Sequence, residues 1–229
     1  MGKAFLGKTK RKIKSAYFAE WSFFKSNLWF GFKLSLIISL LSVVFLSLIL
    51  VYHRDLPEVV RKNADELITK LNPQYGQWES YDLKKAIGFF SHNVRAVVLK
   101  IASGLIPFLF LPIFFVILNG FISAIFLMAA KLLQLNVLGT YFIAIFPHGI
   151  FENIGAWYSA SLGIFLCIES SKKVIPKWRR NSVSFVTIGK RICRSCILVI
   201  APLYAIAAVV EGLITPLLVR TFGQAMLPF

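Results

Sequence analysis

Three side chains able to move protons or bind a metal stand in the most apolar stretches of the chain. His148 and Glu152 lie in "FPHGIFENIG" (146–155), and Glu211 lies in "AAVVEGLITP" (207–216). A spacing of four places His148 and Glu152 on one helix face, a turn apart. An imidazole beside two carboxylates offers three kinds of chemistry. It can ligate a divalent cation such as zinc while leaving a position open for water. It can pass a proton through an apolar medium. It can also hydrogen-bond across helices and fix their register. No His-Glu-x-x-His pair, nucleotide-binding loop or complete catalytic set accompanies the three. The expectation is therefore a register-fixing polar cluster of His148, Glu152 and Glu211, with no catalytic residue and no cofactor. Proton relay and a zinc site at the same residues are the alternatives. His92, Asn93, Asn119, Pro147, Gly149, Thr215 and Pro216 are the expected supporting residues.

These residues must be positioned by helices in lipid. The chain has 229 residues, 57% apolar and only 16% charged, with 22 Phe. A soluble domain carries about 25% charged residues, and the apolar runs here are too long for a buried core. Formal net charge is +16, but the charge is concentrated. Residues 1–25 hold Lys3, Lys8, Lys10, Arg11, Lys12, Lys14 and Lys25 against Glu20 alone. Residues 172–194 hold eight cations from Lys172 to Arg194 and no acid, whereas 52–94 balances six of each sign. Basic runs flanking apolar segments report orientation and attraction to anionic lipid rather than nucleic-acid binding. Cys167, Cys193 and Cys196 make no disulfide framework.

The pattern predicts an all-α, polytopic membrane bundle of about five transmembrane helices. Residues 1–27 read as a basic amphipathic helix on the cytoplasmic face, with Ile13, Tyr17, Trp21 and Phe24 on one side. A first span follows over 28–52. Residues 53–93 read as an extracytoplasmic helical segment opened by the cap Asp55 before Leu56-Pro57-Glu58. A membrane core covers 94–218, with a basic cytoplasmic loop at 171–194, and 219–229 is a tail. The thirty uncharged residues between Lys100 and Lys131 are too long for one span. The expected division is 94–117 and 120–135, turning at Asn119-Gly120. Further spans are expected at 148–170, opened by Pro147, and at 195–218, ending at Thr215-Pro216. With both basic segments inside, five crossings place the amino terminus in the cytoplasm.

These elements together resemble the stage II sporulation protein M family of integral membrane proteins. The matching residues are Asn93 with Gly104 behind it, Asn119-Gly120, Pro147-His148-Gly149-Ile150-Phe151-Glu152, and Ala207 through Glu211-Gly212 to Thr215-Pro216. The resemblance implies a bacterial or archaeal plasma-membrane protein. In sporulation the family member works with peptidoglycan-degrading partners as a scaffold and not as the hydrolase. Relatives accompany circular bacteriocin genes, in maturation, export or self-protection, or accompany transporter components. The implied partners are membrane or cell-envelope proteins, anionic lipids at the basic segments, and a second copy in a homo-oligomer.

Overall fold

A computed structural model describes residues 2–52, 83–132 and 136–222. The expected outer helix opened by Asp55 and the last residues of the expected tail lie outside the described residues. Every regular element among the described residues is helical. Helix α1 (Gly2–Phe23) passes through a π turn (Phe24–Leu28) into α2 (Trp29–Tyr52). Helix α3 is Leu83–Ala102 and α4 is Leu111–Leu132. Helix α5 (Phe146–Val174) is preceded by two short helical segments, Val137–Thr140 and Tyr141–Ile145. Helices α6 (Phe185–Ser195), α7 (Ala201–Val209) and α8 (Thr215–Phe222) follow one another through two π turns.

Four helical rods are long and apolar enough to cross a membrane: Thr9–Ile49, Leu111–Met128, Val137–Val174 and Phe185–Phe222. The first has 41 residues and the last two have 38 each. Rods of those lengths extend ~57–62 Å, about twice the hydrocarbon thickness of a bilayer. Part of each therefore stands beyond the apolar layer. Large apolar side chains such as Phe30, Leu41, Phe45, Ile122 and Ile197 are exposed around the bundle, as a lipid-facing surface requires.

Prolines accompany the π turns of two of these rods, which pass through them without breaking. Pro147, Pro202 and Pro216 each stand two residues beyond a π turn, at Tyr141–Ile145, Cys196–Ile200 and Val210–Ile214. A proline ring clashes with the carbonyl four residues back and removes one donor. Those carbonyls belong to Ile143, Leu198 and Gly212, all inside the widened turns, where i→i+5 bonding makes room. The last helix thus runs through Pro216 to Phe222 and does not end at Thr215-Pro216 as expected. The π turn at Phe24–Leu28 has no such proline, and we have no physical account of it.

The expected turn at Asn119-Gly120 is also corrected. Helix α4 passes straight through the pair, because Gly120 lets α2 approach: a Cβ there would meet Ser42 Cβ at 2.5 Å. Asn119 faces outward. The chain breaks instead at 103–110, around Pro107, with positive φ at Phe108 (66°) and Phe110 (46°). Non-helical backbone in an apolar setting needs local partners. Here Cys167 Sγ donates to the Ile106 carbonyl at 3.5 Å, and the Phe108 N–H donates to Ser171 Oγ at 3.0 Å. Asn93, expected at a membrane boundary, lies in the middle of α3.

Helix α5 is the central pillar, buried almost without interruption from Gly155 to Cys167. Helix α3 runs parallel to it. Asn93 meets Glu152 and Gly104 meets Gly163 at one shared offset of 59 residues. Gly104 packs so closely on the Gly163 backbone that any side chain would collide. Helix α7 runs antiparallel to α5, with Tyr204 lying over Gly155, and Gly212 packs on Ala86 of α3. Helices α2 and α4 rise together from the level of Ser161 and Gly163, where Gly31 and Pro112 touch α5. An aromatic cluster joins the first rod to α5. The Phe24 and Tyr158 rings stack with centroids 5.4 Å apart, and Phe23 meets Phe165 edge-on at 5.4 Å. Ile188 of α6 is buried against the same cluster.

Candidate functional site

The expected trio is brought together only in part. Glu152, a turn and a half into α5, accepts a hydrogen bond from Asn93 Nδ2 of α3. Glu211, in the π turn before α8, and Tyr204 of α7 both lie within electrostatic range of Glu152, as does His92. Two carboxylates from distant segments thus share one partly buried region, held by the antiparallel pairing of α5 with α7 and by Asn93. His148 is buried one turn earlier, and its Nδ1 has no hydrogen-bond partner. The bond expected between His148 and a carboxylate is not made through that atom. No group of three or more His, Cys, Asp or Glu side chains able to hold a metal forms among the described residues.

The supporting residues divide by place. His92 is exposed on α3 beside Asn93. Pro147 stands in the first turn of α5, where its missing N–H is least costly. Gly149 meets only its own helix: a Cβ there would find Ile145 at 3.5 Å and Asn153 at 3.9 Å. Thr215 is buried with its Oγ1 unpaired, and Pro216 beside it is half-buried. Asn119 faces outward beside the Gly120 contact of α2 with α4 and is not part of this site.

A second polar centre was missed in the sequence. Glu20 of α1 is only 3% exposed. Its Oε1 accepts from Tyr158 Oη at 2.7 Å and from Ser195 Oγ, while its Oε2 accepts from Arg194 Nε at 2.7 Å. One carboxylate thereby ties α1 to α5 and α6. The signal was present: Glu20 is seven residues after Ile13, on the same stripe as Tyr17, Trp21 and Phe24. An acid in an apolar stripe needs donors, and the cations at 172–194 supply one.

A third carboxylate, Glu169, is also buried. Its Oε1 accepts from Lys172 Nζ at 2.6 Å, and its Oε2 accepts from the Val183 N–H at 2.8 Å. It closes the basic loop, and Ser184 then caps α6 by accepting from the Thr187 N–H at 3.3 Å. These contacts put Glu20, Glu169 and the cations of 172–194 toward one end of the long rods, called here the basic end. Glu152 and Glu211 lie toward the other.

A bundle of long apolar rods cross-tied by buried polar side chains defines a helical membrane protein. The match to a known family is specific: the stage II sporulation protein M model covers residues 34–216, and the chain belongs to that family. Neither a curated protein nor a solved structure matches the chain.

Proposed function

We propose that this chain is a non-enzymatic assembly protein of the bacterial plasma membrane, a rigid frame on which other membrane or cell-envelope proteins gather. The observation that carries the reading is the use made of buried carboxylates. Both oxygens of Glu20 and both of Glu169 are occupied by donors from the chain itself. Groups saturated in this way lock helices and are not free to react. In this reading α3 is a fifth crossing beside the four apolar rods. The basic end then faces the cytoplasm, as the excess of Lys and Arg favours.

Cross-linking in intact host membranes, followed by purification through a tag, tests the frame. Recurrent membrane or envelope proteins on the purified chain are the expected result. Their absence in repeated preparations sinks the reading.

One observation favours a second function. Glu152 and Glu211 sit in electrostatic range of each other in an apolar region, an arrangement that suits proton-coupled transport, including export of a small peptide such as a bacteriocin. Transport by reconstituted vesicles that depends on an imposed pH gradient supports it. Movement indifferent to pH removes it.

A further inference from the structure

Six buried side-chain polar atoms find no hydrogen-bond partner among the described residues. Three of them, Thr140 Oγ1, His148 Nδ1 and Thr215 Oγ1, stand around the Glu152–Glu211 region. Thr140 and Thr215 are each 3% exposed and His148 is 9% exposed. A helical hydroxyl can satisfy itself on the carbonyl four residues back, as Ser42, Ser123 and Ser171 do in this bundle. Thr140 and Thr215 do not. A buried polar atom that the chain leaves unpaired is commonly met by ordered water.

The packing strings these groups into a row. Tyr204 lies over Gly155, where α7 runs antiparallel to α5. Seven residues on from that contact along each helix, His148 comes level with Glu211. Glu152 is one turn from His148 on the same face of α5. Eleven residues on from the contact, Thr215 comes level with Ala144, midway between His148 and Thr140. The packing of α8 against Tyr141–Ile145 agrees with that level. The polar groups therefore follow one another at intervals of about one turn, ~6 Å along the axis. One water making two hydrogen bonds of ~2.8 Å spans that interval. From Glu152 to Thr140 the row extends ~18 Å. It leads away from the basic end, to the start of the rod Val137–Val174.

We infer that this row holds a file of ordered waters, through which protons reach Glu152 and Glu211 from the end of the bundle opposite the basic end. The use of such a file rests on the proton-coupled reading, and its existence can be tested without transport. A proton enters as hydronium, passes from water to water, and ends on a carboxyl oxygen of Glu211 or Glu152. His148 Nδ1, level with Glu211, gives the file a ring nitrogen that can take up a proton and release it.

Silver ion, which travels in water and does not enter hydrocarbon, is the probe. The full chain carries Cys167→Ser, Cys193→Ser and Cys196→Ser, with one new cysteine at a time. Thr140→Cys and Thr215→Cys report on the row. Ser159→Cys reports on the dry core, since Ser159 is fully buried and bonded to the Ala156 carbonyl. Phe142→Cys reports on the exposed apolar surface. Mass spectrometry counts silver adducts on the protein in micelles. The two cysteines of the row should react about tenfold faster than both controls. Equal rates overturn the file. Radiolytic footprinting of the wild type, in which radicals born from bound water oxidise adjacent rings, decides the matter if a variant does not fold. His148 should then be oxidised faster than the buried Tyr158, and oxidation no faster than that of Tyr158 overturns the file. Silver access together with transport indifferent to pH keeps the file and removes the proton-coupled reading. A dry row together with transport driven by a pH gradient removes the file and leaves that reading standing.

Discussion

Glu20 and Glu152 are both carboxylates in apolar helices, yet their surroundings treat them differently. Glu20 is closed on all sides by donors from two other helices, including a guanidinium and a phenol. Glu152 has one amide donor, Asn93, and another acid nearby. A saturated carboxylate behaves as a fastener, since removing it strands its donors. A carboxyl group with spare lone pairs beside another acid keeps the capacity to change state. The contrast separates a structural end of the molecule from an end that can respond.

Four substitutions would break or sharpen that contrast, in falling order of effect. Glu20→Ala should cost about 3 kcal/mol, because it leaves Arg194 and the Tyr158 hydroxyl without their acceptor. Thermal unfolding in detergent measures this, and a smaller loss than for Glu152→Ala would reverse the assignment of roles. Asn93→Ala should cost about 1–2 kcal/mol by leaving Glu152 without its donor, read from the same melting curves. Glu211→Gln replaces one of two neighbouring carboxyl groups by an amide and should change stability by less than ~1 kcal/mol. If transport is measured and falls while the melting temperature holds, the responsive end is located. Lys172→Gln should move stability by no more than ~0.5 kcal/mol, since that lysine is 34% exposed and pairs at i,i+3. A large loss there would show the basic loop to be a second fastener.

The helical class and the membrane setting were legible in composition and run length, and the motifs around Glu152 and Glu211 carried the family. The convergence of those two acids could be read because parity and helical rise put them at similar depth. The errors have particular causes. Asn-Gly is a turn signal in aqueous chains, but in α4 the glycine is a contact with Ser42 and the asparagine simply faces outward. Pro147 and Pro216 looked like helix boundaries because one-dimensional reasoning has no place for a compensating π turn. Glu20 was hidden by the cations around it, which made the whole segment read as a solvated basic face. Only the fold shows that Glu20 is enclosed by α5 and α6 and that Phe24 is buried, while Ile13, Tyr17 and Trp21 stay exposed. His148 was expected to bond a carboxylate from spacing and depth, and neither fixes where a ring nitrogen such as its unpaired Nδ1 points.

The Glu20 fastener also has a consequence in time. Its partners lie 138 and 175 residues later in sequence, at Tyr158 and Ser195. During synthesis the carboxylate leaves the ribosome first and meets its last donor only when most of the chain has been made. Until α5 has been made the carboxylate lacks even its first donor, Tyr158, and the first rod waits in the bilayer with an unsettled end. Long-range closure of this kind is slow and comes late. Glu20 therefore works as a late mark of assembly, satisfied only in chains whose α6 has been made and docked.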